Sequence, residues 1–168
     1  KDFINGDLVL FGGKRDLCIT VSDFFKEYTL CKNKEHFITD IATASLVKYS
    51  INSYLASKVV FFNQLNEIFK ASTSKETWEN FITFISSDKR IGFSHMSVPG
   101  HDGRNGFGGA CFPKDTLEFL EYSTRIDREF SILKESIKIN DKIRSVYNDP
   151  TEREAEQNIS FGNKQQEK

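Results

Sequence analysis

A cysteine, a lysine and an aspartate lie within five residues of one another at Cys111, Lys114 and Asp115, behind a bend that reads Gly106-Phe107-Gly108-Gly109-Ala110. Pro113, next in line, suits the first position of a helix, where its missing N–H leaves nothing unpaired. Asp115 suits the first turn by the sign of the helix dipole. Cys111 is therefore expected where backbone N–H groups point outward, and those donors together with Lys114 favour the thiolate, the nucleophilic form of the side chain. An isolated cysteine is more often a small buried apolar residue. The glycine bend before it and the Pro-Lys-Asp run behind it shift the balance toward nucleophilic chemistry.

The bend continues a longer loop, Val98-Pro99-Gly100-His101-Asp102-Gly103-Arg104-Asn105, so that five of the ten glycines fall between positions 100 and 109. A loop of this composition brings bare backbone amides close to a ligand. It matches neither the phosphate loop Gly-x-x-x-x-Gly-Lys-Ser/Thr nor the dinucleotide fingerprint Gly-x-Gly-x-x-Gly. Upstream, Ile41, Ala44, Val47, Ile51, Leu55, Val59, Phe62 and Phe69 recur at helical spacing, which predicts a helix over about 40–71 with Thr39 or Asp40 as its cap. Lys48 and Asn52 stand four apart on it, so an ammonium and an amide share one face. Taken alone, both read as ordinary solvated helix positions.

These segments resemble the UDP-glucose/GDP-mannose dehydrogenase family, and its UDP-glucose branch more than its GDP-mannose branch. Three stretches carry the resemblance: the Val-Pro-Gly-x-Asp-Gly loop with Gly-Phe-Gly-Gly-x-Cys-Phe-Pro-Lys-Asp, the helix segment Ala44 to Ala56, and Asp88-Lys89-Arg90-Ile91-Gly92. Ser45 departs from the pattern, since the family usually has glutamate there. The resemblance implies a three-part enzyme: an NAD-binding domain, a helical central domain and a C-terminal domain that grips the nucleotide. The reaction it implies is a four-electron oxidation of a UDP-sugar C6 alcohol to a carboxylate, with NAD as acceptor, through a cysteine thiohemiacetal and thioester. Cys111, Lys48, Asn52 and Asp115 would then be catalytic. Lys48, Asn52, Arg90, Gly106, Phe107, Gly108 and Gly109 would bind the nucleotide sugar, and Lys114 the cofactor. A homodimer through the long helix 40–71 is implied as well, with Arg90 reaching a neighbouring subunit's substrate.

The fold expected is mainly α, a long central helix with shorter helices packed on it in the manner of the 6-phosphogluconate-dehydrogenase central domain, preceded by a small α/β remnant. Residues 1–34 would be the end of the NAD-binding domain, 35–147 the central dimerisation and active-site domain, and 148–168 a flexible tail. The stretch Asp2 to Gly13 resembles the end of the first domain, and Leu8 to Gly12 and Leu17 to Val21 read as its strand and helix remnants. Ser72-Thr73-Ser74 is expected to break the long helix and cap a shorter one carrying Trp78, Phe81, Ile82 and Ile85. A helix with Leu117, Leu120 and Tyr122 should begin near Pro113. Another should run from about Asp127 to Val146 on Phe130, Leu133, Ile137 and Ile143.

A chain of 168 residues with 38% hydrophobic and 13% aromatic content is long enough for one core. A net charge of −1 gives no electrostatic case for nucleic acid or an anionic membrane. No apolar run approaches the roughly 20 residues that span a bilayer. No secretory leader is visible, and a start at Lys1 fits a trimmed piece. Three cysteines, an odd number without metal spacing, fit a reducing cytoplasm. His95 or His101 beside Cys111 would suit a cysteine hydrolase, but nothing orients either as base. His36, His95 and His101 show no metal-ligand spacing, so no metal is expected.

Overall fold

The computed structural model describes residues 4–162 and divides the chain into two units, Lys1–Ser50 and Ile51–Lys168. In the first unit, β1 (Val9–Gly12), α1 (Arg15–Tyr28) and β2 (His36–Thr39) form a β-α-β crossover, the connection that a parallel strand pair requires. The strands run parallel with Val9 opposite His36 and Gly12 opposite Thr39. Leu17 to Val21 belong to α1, while β2 carries no apolar run and was not foreseen. Cys18, Ser22 and Cys31 are buried in this unit, and Phe11 packs edge-on against Phe25 at 5.4 Å between ring centres. Positions 1–3 of the expected remnant, and 163–168 of the expected tail, lie outside the described residues.

The long helix α2 (Ile41–Ala71) opens in the first unit and continues through the second. Asp40 caps it: Oδ1 accepts the Thr43 N–H at 2.9 Å and Oδ2 the Thr43 hydroxyl at 2.7 Å. Those two donors hold the Asp40 carboxyl below its ordinary pKa. A Cβ on Gly12 would stand 2.5 Å from the Ala44 Cβ, so only glycine lets β1 end this close to the first turn of α2.

The second unit holds the rest of α2 together with α3 (Trp78–Ser86), α4 (Phe112–Arg125), α5 (Ser131–Arg144) and α6 (Glu152–Glu156). One core gathers Phe62, Trp78, Ile82 and Met96, and a second gathers Ala56, Val60 and Phe107. The apolar stripe expected on α2 is kept in part: Phe62 is buried, and Val59 and Phe69 pack against those two cores. Ile41 and Ile51 are exposed, whereas Ala56, Val60, Asn63 and Asn66 are buried beside Phe62. A helix apolar on nearly every side does not declare which face a partner will cover.

Thr77, and not the Ser72–Ser74 run, caps α3 by accepting the Asn80 N–H at 3.1 Å. The chain turns at Ile126 and Asp127, the latter at φ 53°, so α5 begins four residues later than expected. α4 packs on α5, with Phe119 edge-on to Phe130 at 5.5 Å. The stretch from Asn148, expected as a flexible tail, instead carries α6, capped by a reciprocal Thr151 and Glu154 box and holding Glu154 fully buried. The charge-rich composition there hides a single carboxylate with a buried cation to meet.

Candidate active site

Cys111 sits at the N-cap of α4 with its side chain exposed and making no capping hydrogen bond. Phe112 and Pro113 occupy the first two helical positions, one residue later for proline than the sequence suggests. The Cys111 carbonyl accepts the Asp115 N–H at 2.9 Å, closing the first turn of the helix. Asp115 is 1% exposed, and its Oδ2 accepts the Asn52 side-chain N–H from α2 at 2.6 Å. Lys114 is largely exposed, its ammonium 3.9 Å from Asp115 Oδ1. Two of the expected catalytic side chains thus meet directly, and both are tied to the turn that bears the thiol.

Lys48 is exposed on α2 one turn before Asn52, its ammonium 5.3 Å from the Tyr49 ring centre. Arg90 follows α3, where its Nε and Nη2 donate to the Asp88 carboxylate at 3.0 and 2.6 Å; that pairing lowers the Asp88 pKa. Lys58, buried on α2, donates to the carbonyls of Ile91 and Gly92, both at 2.9 Å, and so holds the turn that carries Arg90. Burial pulls the Lys58 pKa down.

The glycine bend is held by side chains on three helices. The Gly106 N–H donates to Asn63 Oδ1 at 3.0 Å, the Phe107 N–H to Asn140 Oδ1 at 2.6 Å, and the Gly109 N–H to Glu154 Oε1 at 3.2 Å. Asn140 also donates back to the Phe107 carbonyl at 3.0 Å. These bonds use N–H groups that the loop was expected to offer to a ligand. The Phe107 ring is likewise buried, in the core with Ala56 and Val60. Gly106, at φ 78°, has no room for a side chain, since a Cβ there would stand 2.6 Å from Asn140 Oδ1.

Asn63, Lys58, Asn140, Arg144 and Glu154 escaped the sequence reading, although a signal existed. Leu133, Ile137, Asn140 and Arg144 share one face of α5 at helical spacing, so two polar side chains stand on its apolar stripe. Asn63 follows Ala56 and Val60 in the same way, and Thr151-x-x-Glu154 is a capping-box pattern.

His36 lies in the first unit, with Nδ1 2.9 Å from the Ser22 hydroxyl, whereas His95 and His101 belong to the second. Among the described residues no cluster of His, Cys, Asp or Glu is arranged to hold a metal. No helix among them is long and apolar enough to cross a membrane. The turn from β1 into α1, Gly12-Gly13-Lys14, does not fit the pyrophosphate of NAD. It lacks the fingerprint, the Gly13 N–H is spent on the Thr39 carbonyl at 3.0 Å, and the Ala44 Cβ blocks Gly12.

A mainly α chain built on one long helix, with an exposed thiol at the start of a second helix behind a glycine bend, defines the class. Residues 42–142 match the central domain of the UDP-glucose/GDP-mannose dehydrogenase family, and the chain belongs to that family. The UDP-glucose 6-dehydrogenase YwqF of Bacillus subtilis is 28% identical over 146 residues, which are 86% of this chain and 31% of that protein. A UDP-glucose 6-dehydrogenase of Campylobacter jejuni is 34% identical over 112 residues, 67% of this chain and 27% of that protein. A solved UDP-glucose dehydrogenase structure from Pyrobaculum islandicum superposes with a TM-score of 0.69 at 27% identity, covering 84% of this chain and 30% of that one. The chain thus spans about a third of the length of the relatives it matches.

Proposed function

We propose that this chain is the thiol-bearing part of a nucleotide-sugar dehydrogenase that oxidises the C6 alcohol of a UDP-sugar of the UDP-glucose type to the carboxylate. The observation that supports this most is the Asn52 to Asp115 hydrogen bond at 2.6 Å, which ties the central helix to the turn carrying the exposed Cys111. In this reading the Cys111 thiolate attacks the C6 aldehyde. A carbon–sulfur bond forms, and the carbonyl electron pair passes to the C6 oxygen, which then takes up a proton. The remaining side-chain N–H of Asn52 and the Lys48 ammonium stabilise that oxygen, as the family resemblance implies. A donor of this kind is worth on the order of 3–4 kcal/mol in comparable oxyanion sites. Asp115 orients the Asn52 amide and, as the family resemblance implies, positions water for hydrolysis of the acyl–sulfur bond. Lys114 faces the cofactor side, Arg90 is offered to a neighbouring subunit's substrate, and the bend from Gly106 to Gly109 shapes the sugar pocket.

NAD would supply the hydride acceptor in this reading, once as the C6 alcohol becomes the aldehyde and again as the thiohemiacetal becomes the acyl–sulfur ester. Because the Gly12-Gly13 turn does not fit it, the acceptor is seated by sequence outside this chain. A homodimer through α2 belongs to the same proposal, supported by Tyr54, Phe61 and Ile68, which are exposed at seven-residue spacing along that helix. Localisation in the cytoplasm is also part of the proposal.

A second reading is a non-catalytic module that keeps dimerisation and sugar-nucleotide binding, favoured by the lack of fit between the Gly12-Gly13 turn and NAD. Incubation of the complete protein that carries this chain with UDP-glucose and NAD, followed by NADH fluorescence, separates the two. NADH formation that disappears in Cys111→Ser rejects the module reading. Binding of UDP-glucose without NADH formation supports it.

A further inference from the structure

We infer that Glu154 is a positioning residue for Cys111, fixing from outside the family-matched segment the backbone that delivers the thiol; this rests on the proposed role of Cys111 as nucleophile. The family match ends at residue 142, yet the carboxylate at 154 reaches back into the glycine bend. Glu154 is 1% exposed, and its two oxygens do different work. Oε2 accepts the Thr151 N–H at 2.7 Å, which is the helix cap and would suffice if capping α6 were its whole purpose. Oε1 is turned away from that helix. It accepts the Gly109 N–H at 3.2 Å, two residues before Cys111, together with an Arg144 Nη2–H.

Arg144 completes the clasp. Its Nη1 donates to Asp102 Oδ2 at 2.8 Å, in the first half of the same loop, and its side chain is 1% exposed. One buried guanidinium thus ties the beginning of the loop to the carboxylate that holds its end. Charged partners make these bonds stronger and more directional than neutral ones. Gly108 lies where a side chain would run into Glu154 Oε1 and Arg144 Nη2, so the bend is glycine-rich partly because this ion pair sits against it. The Gly109 peptide, at φ 74°, is thereby held in one orientation two residues ahead of the cap position that Cys111 occupies.

The test compares wild type, Glu154→Ala and Glu154→Gln by hydrogen exchange and by iodoacetamide alkylation of Cys111, well below each variant's unfolding temperature. In Glu154→Ala, amides in residues 106–112 should exchange about tenfold faster, while those in the α2 core stay unchanged. Cys111 alkylation should slow by about threefold or more, because the thiol loses its fixed place at the start of α4. Glu154→Gln keeps a neutral acceptor facing Gly109 and should give a smaller change in the same direction, so it decides the matter if Glu154→Ala does not fold. Faster exchange confined to residues 149–160, or alkylation unchanged in both variants, overturns the inference. Neither readout uses a nucleotide sugar or NAD, so failure here is distinct from absence of turnover.

Discussion

Asn52 and Asp115, 63 positions apart in sequence, share a hydrogen bond of 2.6 Å that joins α2 to the first turn of α4. The acceptor is a carboxylate with 1% of its surface exposed, so each donor it has offsets part of a large desolvation cost. Asn52→Ala removes one of them and should cost about 1–3 kcal/mol of unfolding free energy in urea titrations. Asn52→Asp should cost more, because it sets a second carboxylate against the first. Equal stability of all three proteins would show that the pair is incidental.

Cys111→Ser should separate stability from chemistry. The cysteine occupies an N-cap and makes no capping bond, whereas serine is among the preferred residues there and can accept the Lys114 N–H. Thermal unfolding should show stability unchanged or raised by up to about 1 kcal/mol. Fast alkylation should vanish, leaving only the buried Cys18 and Cys31. A clear loss of stability would mean that the thiol serves the fold.

Acid should loosen the clasp on the glycine bend. Burial works to raise the Glu154 pKa, but the Thr151 N–H and hydroxyl, the Arg144 charge and the Gly109 N–H together hold it below its ordinary value. A carboxyl depressed in the folded state contributes stability that is full above its unfolded pKa of about 4.5 and is lost as pH falls through the lower folded value. Wild-type stability should therefore fall more steeply below about pH 4.5 than that of Glu154→Gln, which has no such proton to take up. Parallel curves from acid denaturation would contradict the assignment.

The exposed α2 stripe of Tyr54, Phe61 and Ile68 gives the proposed dimer a direct check. Phe61→Glu places a charge at its centre and should shift the sedimentation mass from dimer to monomer without lowering helix content. A wild-type monomer at micromolar concentration would remove the dimer from the proposal.

Sequence alone carried the thiol, its helix start and the long helix, because glycine, proline and helical spacing act locally. Asp40 caps α2 as one of the two residues expected there, whereas the Thr77 cap and the turn at Asp127 depend on which of several residues the chain selects, so those element ends moved by a few residues. The α2 face was legible only in part: Val59, Phe62 and Phe69 pack as their spacing predicts, but with apolar residues on nearly every side only the partners decide which others are covered. The support of the glycine bend and its loop was hidden because Asn63, Asn140, Arg144 and Glu154 reach them from positions 33 to 45 residues away, and such long-range polar pairing leaves only a polar residue on an apolar stripe as its trace.

Protection of Cys111 by the substrate tests the central claim most directly. Iodoacetamide alkylation of Cys111 should slow in proportion to 1 + [UDP-glucose]/Kd, with Cys18 and Cys31 unaffected, glucose giving no protection, and Asn52→Ala weakening the effect. A Cys111 rate independent of UDP-glucose up to millimolar concentration would contradict the placement of this thiol in a nucleotide-sugar site.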